Sequence, residues 1–296
     1  MFQVRQKVNC MYSNFYINKF FKNIFIIFII FIIAEKSFAK DPLILKFDNI
    51  IVNLQGNFIQ GGLVKGNVFP DKVIKFEDKI LLKDANGKFV FGFGRNYKED
   101  SYLEVKISEK KWLKKSFKIK KQTYNTQYIN GLQKKMVTPP KSFYDRIKKE
   151  NKSIELIRNL NTDVNFIFQE FILPTKGIVS GVFGSQRILN GKPRRPHYGI
   201  DIAAPKGTPV IAPIDSIVRM AEKDLYFTGG TIILDHGHGV TSVYSHLSLI
   251  NINVGDKVIK GQKIAEVGST GRSTGPHLDW RVNWFNQRLD PALLIN

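Results

Sequence analysis

Short runs in which apolar and polar residues alternate fill the chain from Leu43 to about Thr138. Alternation with a period of two is typical of half-buried β-strands, and turn residues separate the runs. The pair Asn86-Gly87 lies between two such runs and predicts a tight hairpin. We therefore predict a small β-sandwich over residues 40–138. This segment contains neither histidine nor cysteine, so we expect it to bind or to act as a spacer rather than to catalyse.

Two consecutive prolines interrupt this pattern at Thr138-Pro139-Pro140, where they remove backbone donors and exclude a helix or a central strand. We place a domain boundary there. Apolar residues then recur near helical spacing, which predicts one amphipathic helix from about Phe143 to Asn159 within a linker of residues 139–175. After Pro174, closely spaced glycines separate short β-type runs, which predicts a turn-rich β domain over residues 176–296. The predicted fold class is mainly β.

The first 39 residues have the three parts of a secretory signal peptide in the usual order. Lys19 and Lys22 supply positive charge, Ile24 to Ala34 form an uncharged apolar run, and Ser37-Phe38-Ala39 offers small residues for cleavage. Because the apolar run is short for a permanent membrane span, we predict removal of residues 1–39 and export, with a periplasm as the expected destination. The alternative is an uncleaved signal, which would anchor the protein in the membrane.

The chain is strongly basic, with a formal net charge of +20 at pH 7. Loss of five basic residues and one acidic residue with the signal peptide would leave +16. Such a charge raises the rate of encounter with polyanions. Since an exported protein rarely meets nucleic acid, we expect the carboxylate-rich cell wall or a membrane surface instead. The single cysteine, Cys10, lies in the predicted signal peptide, so a metal site in the mature chain would use histidine, aspartate or glutamate.

All five histidines lie between His197 and His277, in the second predicted β domain. Imidazole and carboxylate are ligands for zinc and are also groups used in acid–base catalysis. Two aspartates accompany the histidines at even spacing, because Asp201 follows His197 by four residues and Asp279 follows His277 by two. On an extended strand, even spacing points both side chains to one side. The cluster predicts a metal site or an acid–base site.

This glycine-rich half resembles the lysostaphin and LytM-type family of zinc endopeptidases, which act on peptidoglycan. The resemblance rests on motifs that follow one another in family order: Phe183-Gly184 with Arg187, His197 to Asp201, Ala204 to Val210, Gly237 to Val240, Tyr244 to Leu247, Gly255 to Gln262 and Gly268 to Asp279. It implies an open antiparallel β-sheet with a groove and one Zn2+ ion on its floor. The N-terminal half is more loosely similar to the small β-sandwich that precedes this domain in some exported bacterial proteins.

Matched motif by motif, the resemblance implies His197 and Asp201 as two zinc ligands. The third motif of the family is His-x-His, in which the first histidine is catalytic and the second is the third ligand. This chain has His277 and Asp279 there, so a carboxylate holds the third ligand position. Two carboxylates leave a Zn2+ site formally neutral, and a less positive metal acidifies its water less. We expect slower turnover, activity shifted to higher pH, or tolerance of Mn2+ or another divalent metal.

The resemblance implies open zinc coordination, in which water takes the fourth position. His277 is expected to act as the general base, and His246 to hydrogen-bond the water or the developing oxyanion. Tyr244 and Arg272 are further candidates, for binding the substrate. Together these assignments predict a peptidoglycan endopeptidase. The alternative is a catalytically inactive wall-binding regulator that activates another cell-wall hydrolase, and the feature that favours it is Asp279.

Overall fold

The structure is a computed structural model that describes residues 42–295. The predicted signal peptide lies outside these residues. The described chain is mainly β, as predicted, with 21 strands and two α-helices, and it belongs to one compact unit. In this part of the chain, no helix is both long enough and apolar enough to cross a membrane.

Two four-stranded antiparallel sheets form the N-terminal part of the described chain. The first sheet contains, in spatial order, β1 (Leu43–Phe47), β2 (Ile50–Gly56), β3 (Leu63–Phe69) and β6 (Lys88–Gly92). The second contains β5 (Lys79–Ile80), β4 (Ile74–Phe76), β7 (Asp100–Lys106) and β8 (Trp112–Lys118). Phe76 of the second sheet stacks on Phe91 of the first, with ring centroids 4.4 Å apart. The two sheets therefore share one core, as in a β-sandwich.

The prediction of a hairpin at Asn86-Gly87 is wrong. Gly87 does adopt a turn conformation, with φ +76°, but β5 before the turn and β6 after it belong to different sheets. Four of the five residues of β6 are buried, and this strand pairs with β3. A glycine turn fixes a local change of direction, whereas burial decides the pairing partner.

The segment after the sandwich contains strand β9 (Thr126–Ile129), a short helix α1 (Lys134–Val137) and a longer helix α2 (Tyr144–Arg158). Two 3-10 turns lie at Lys141–Phe143 and Phe166–Phe168. Helix α2 occupies the range predicted to be helical, one residue shorter at each end. Its residues Ile154 and Ile157 pack on an apolar cluster formed by Met220, Leu225, Ile233 and Val243. The helix therefore covers part of the C-terminal sheet.

Ten strands, all paired antiparallel, form the C-terminal sheet. Seven follow one another in the spatial order β10 (Ile178–Gly181), β13 (Ile200–Ala203), β20 (His277–Trp284), β17 (Val240–Ile250), β16 (Gly229–Gly237), β15 (Ser216–Leu225) and β18 (Lys257–Val258). The other three are β14 (Pro209–Ile211), β19 (Lys263–Val267) and β21 (Gln287–Leu289). A final 3-10 turn follows at Pro291–Leu294.

A small third sheet joins the two parts of the chain. It contains β9, β11 (Gln186–Leu189) and β12 (Lys192–Pro193), and β9 pairs with β11 in parallel. Since β9 precedes the proline pair and β11 lies far beyond it, backbone hydrogen bonds cross the predicted domain boundary. The boundaries at residues 138 and 175 stay a prediction.

Candidate active site

Two neighbouring strands of the large sheet hold the aspartates of the predicted metal site. Strands β13 and β20 pair in a register that sets Asp201 directly opposite Asp279. Like charges in that position repel, so the register needs positive charge nearby. Nε2 of His197 lies 3.1 Å from Oδ1 of Asp201. One donor atom from each of His197, Asp201 and Asp279 lies within 4.8 Å of the other two, so the fold brings the three residues together.

Several buried polar atoms in this cluster lack a partner. Both ring nitrogens of His197 and Oδ1 of Asp201 are buried and accept or donate no hydrogen bond among the described residues. The two residues are close, but their atoms are not aligned as a hydrogen bond. An unpaired buried polar group costs about 1–3 kcal/mol, which a bound cation would offset. Nitrogen and carboxylate donors suit zinc and related divalent ions, so the residues present fit a divalent metal.

Each carboxylate of the cluster also contacts an arginine. Nη2 of Arg187 donates to Oδ2 of Asp201, which leaves Oδ1 facing His197. Arg281 donates from Nε to Oδ1 of Asp279 at 2.8 Å and from Nη2 to Oδ2. Burial would raise the pKa of Asp279, but the charge and hydrogen bonds of Arg281 hold that pKa below its ordinary value. Asp279 is therefore a charged group that shares both oxygens with a guanidinium.

The two histidines expected to be catalytic stand side by side, with ring centroids 4.7 Å apart. Nδ1 of His246 lies 2.7 Å from the carbonyl oxygen of Thr270, and Nδ1 of His277 lies 2.8 Å from that of Gly275. Because a carbonyl oxygen only accepts, each Nδ1 carries the proton, and in the neutral ring each Nε2 keeps a free lone pair. Nε2 of His277 lies 3.9 Å from Oδ1 of Asp201. Both Nε2 atoms are therefore suited to accept a proton or a hydrogen bond.

His246 is held in a backbone conformation that is uncommon for a residue other than glycine, with φ +67°. Its amide donates to the carbonyl oxygen of Thr228 at 2.8 Å, and its ring is fixed by Thr270. Burial lowers the pKa of His246 to about 4, so the ring is neutral near pH 7. Strained backbone that surrounding bonds keep in place is often found at functional sites.

The other two histidines have structural roles. Nε2 of His236 lies 2.7 Å from Oγ of Ser242, and Nε2 of His238 lies 2.8 Å from Oδ1 of Asn165. His238 adopts φ +52° in the turn between β16 and β17, where the flanking glycines of the sequence also indicate a turn. Neither belongs to the group of residues that could share a metal in the described chain.

A groove of about 280 Å3 opens beside the cluster. Asp201, His246, His277 and Arg272 line it, together with Gln127, Ile129 and Leu132 from the segment around β9. The sequence gave no sign that this segment forms a wall of the groove, since the contact depends on the parallel pairing of β9 with β11. Arg272 thus lies where a substrate-binding residue is expected.

Tyr244 requires a correction. It was a candidate for binding substrate, yet its side chain is fully buried, and its hydroxyl pairs with Oγ of Ser242 at 2.9 Å. Alternation along β17 places it in the hydrophobic core of the C-terminal sheet. Tyr244 therefore supports the sheet and does not line the groove.

Comparisons with known proteins agree with this geometry. Residues 195–291 match the sequence family described as Peptidase family M23. The peptidoglycan DD-endopeptidase ShyA of Vibrio cholerae is 38% identical over 116 residues, which are 39% of this chain and 27% of that protein. An uncharacterized metalloprotease of Buchnera aphidicola is 31% identical over 196 residues, which are 63% of this chain and 50% of that protein.

A solved structure from Pseudomonas aeruginosa, described as a candidate M23 peptidase, superposes with a TM-score of 0.62 at 26% identity. The match covers 80% of this chain and 94% of that one, so it includes residues on both sides of the proline pair. The chain spans half or less of the length of the curated relatives, since it covers 27% of ShyA and 50% of the Buchnera protein.

Proposed function

Residues 195–291 form a peptidase family M23 domain, and on that premise we propose that the protein is a zinc-dependent endopeptidase that hydrolyses peptide cross-links of peptidoglycan. The observation that carries the proposal is the cluster of His197, Asp201 and Asp279 beside two histidines with free Nε2 lone pairs. A relative with this domain is described as a peptidoglycan DD-endopeptidase, which supports the same substrate.

The two free histidines account for the proton transfers. A metal held by His197, Asp201 and Asp279 would acidify a bound water and polarise the scissile carbonyl. His277 accepts the proton of the attacking water through Nε2, because Gly275 fixes its other proton on Nδ1. His246 accepts a hydrogen bond from the same water and orients it. As the carbon–nitrogen bond breaks, the proton held by His277 passes to the leaving amine.

The role of His246 follows from its tautomer. The sequence left two roles open, since His246 was expected to bond either the water or the developing oxyanion. An oxyanion needs a donor, whereas the Nδ1 proton of His246 is already directed to the carbonyl of Thr270. The free Nε2 of a neutral ring can only accept. The contacts of His246 therefore support the water-orienting role.

We also propose that the protein acts in the cell envelope after export, with a periplasm as its compartment and peptidoglycan as its partner. The signal-like N-terminus and the net charge of +20 support this. The N-terminal sandwich would bind or position the wall, and part of the segment that follows it already borders the groove.

A second candidate function is a catalytically inactive wall-binding regulator of another cell-wall hydrolase. One observation favours it: Arg281 donates to both oxygens of Asp279. The guanidinium thus supplies positive charge between strands where a metal would otherwise be needed. In that case the ion pair would replace the metal, and the domain would bind peptidoglycan without cutting it.

Metal content and wall digestion distinguish the two functions. The mature chain is purified, its bound metal is measured by elemental analysis, and muropeptides released from purified peptidoglycan are followed with and without a chelator. The peptidase is expected to hold about one zinc ion per chain, as a three-ligand catalytic site does, and to lose cleavage when chelated. Wall binding with neither metal nor cleavage would contradict the peptidase and favour the regulator.

A further inference from the structure

A second cavity, of about 420 Å3, lies between helix α2 and the C-terminal sheet. Asn151, Ile154 and Arg158 of α2 border it on one side. His197 and Asp279 border it as well, so the cavity is contiguous with the candidate metal ligands. Its size falls within the range of about 300–1,000 Å3 that is usual for small-ligand pockets. The proposed chemistry makes no use of this space.

The cavity is unusually basic, because seven arginine side chains line it. Two of them are neutralised by carboxylates, Arg281 by Asp279 and Arg187 by Asp201. Asp279 is the sole acidic side chain on its wall within the described chain. Five arginines therefore face the cavity without an ion pair to a described residue: Arg158, Arg194, Arg195, Arg272 and Arg288.

Two of these five arginines carry the argument furthest. Nε of Arg158 is buried and has no hydrogen-bond partner among residues 42–295. Arg272 approaches one carbonyl oxygen, that of Met136, at 3.5 Å. Burial, together with the charges of Arg281 and Arg187, lowers the pKa of Arg272 to about 10. Guanidinium groups crowded in this way repel one another, and a solvated surface would not need to gather them around an enclosed space.

Bound carboxylates would satisfy these groups. A guanidinium presents donors in a planar fork that matches a carboxylate, and such charge-assisted pairs are among the strongest hydrogen bonds in proteins. We propose that the arginine-lined cavity binds the carboxylate groups of a peptidoglycan stem peptide and so holds the peptide beside the candidate metal centre. The identity of the peptide rests on the proposed function. A free phosphate ion shares the chemistry and is tested separately.

Calorimetric titration of the full mature protein with a synthetic, uncross-linked stem peptide tests the proposal. The matched probe is the same peptide with its carboxylates converted to amides. Because the peptide has no cross-link, binding is measured without any hydrolysis. We expect amidation to weaken binding by about tenfold or more, since each charged hydrogen bond lost is worth at least that factor. Equal affinity for the two peptides would overturn the proposal.

Variants locate the site. Arg158→Gln and Arg272→Gln should each raise the dissociation constant for the carboxylate peptide by about tenfold and leave that for the amidated peptide unchanged. Lys149→Gln is the matched control, because Lys149 is exposed on the same helix and lies outside the cavity. It removes the same charge and should alter binding by less than about twofold. Thermal unfolding checks that each variant is folded, and the amidated probe tests the wild type even where a variant fails.

The remaining outcomes separate this site from the proposed enzyme. Inorganic phosphate that binds more tightly than the peptide, with the same dependence on Arg158 and Arg272, would overturn the carboxylate assignment. Carboxylate-dependent binding in a protein that cuts no cross-link would retain the cavity and reject the peptidase. Hydrolysis of peptidoglycan by a protein that binds the amidated and the carboxylate peptide equally would retain the peptidase and reject the cavity.

Discussion

Replacing His277 by alanine should lower the rate of cross-link hydrolysis by about 10²–10⁴-fold, the usual contribution of a positioned general base. The loss is expected because Nε2 of His277 is the free lone pair that lies nearest to Asp201, at 3.9 Å, while Gly275 occupies Nδ1. Bound metal should stay near the wild-type amount, since the three residues that could share it are His197, Asp201 and Asp279. Initial rates on purified peptidoglycan and elemental analysis of the same sample measure both.

A loss of metal in the His277→Ala protein would contradict this division of roles and make His277 a ligand. His246→Ala should behave similarly, with the rate falling and the metal retained. His238→Asn is the matched control, because His238 is a buried histidine whose partners are Asn165 and the carbonyl of Leu82. It should lower thermal stability yet leave the rate per folded molecule unchanged.

Much of the fold could be predicted because alternation along a strand is a local property. Strand β2, for example, has buried residues at alternate positions, and α2 begins and ends within one residue of the predicted range. Pairing partners could not be predicted in the same way. The turn at Asn86-Gly87 is correct locally, yet the strands beside it belong to different sheets, and the parallel pairing of β9 with β11 joins residues far apart in the chain.

The site divides along similar lines. Family motifs predict which residues gather near His197, because each motif brings its own short stretch of strand and turn. Arg281 was missed, although it lies two residues after Asp279 on the same strand and therefore on the same face. The arginine-lined cavity could not be foreseen, since Arg158 and Arg288 come from distant segments that meet only when α2 packs on the sheet.

Arg281→Gln should destabilise the metal-free protein and, at the same time, strengthen its binding of zinc. The substitution leaves Asp279 buried opposite Asp201 without its counterion, and breaking a buried ion pair costs about 3–5 kcal/mol. Since 26% of the Arg281 side chain is exposed, the lower end, about 3 kcal/mol, is expected. A divalent cation can then take the place of the lost charge. The shift in melting temperature on adding zinc should therefore be larger than in the wild type.

The same ion pair changes what Asp279→His should do. The ligand charges alone predict faster hydrolysis, because a histidine ligand leaves the metal more positive. Yet Asp279→His also leaves the guanidinium of Arg281 unpaired beside a divalent cation, and like charges at this range repel strongly when partly buried. We therefore expect the single variant to bind zinc more weakly than the wild type.

Asp279→His combined with Arg281→Gln removes both the second carboxylate and the unpaired cation. The double variant should recover zinc affinity and exceed the wild-type hydrolysis rate, so the two substitutions should be strongly non-additive. Chelator competition gives the affinities, and muropeptide release gives the rates. Additive effects would mean that Arg281 acts on Asp279 only by orienting it. A double variant that binds zinc well but cuts nothing would instead favour the regulator, because the missing activity could then no longer be attributed to the carboxylate at position 279.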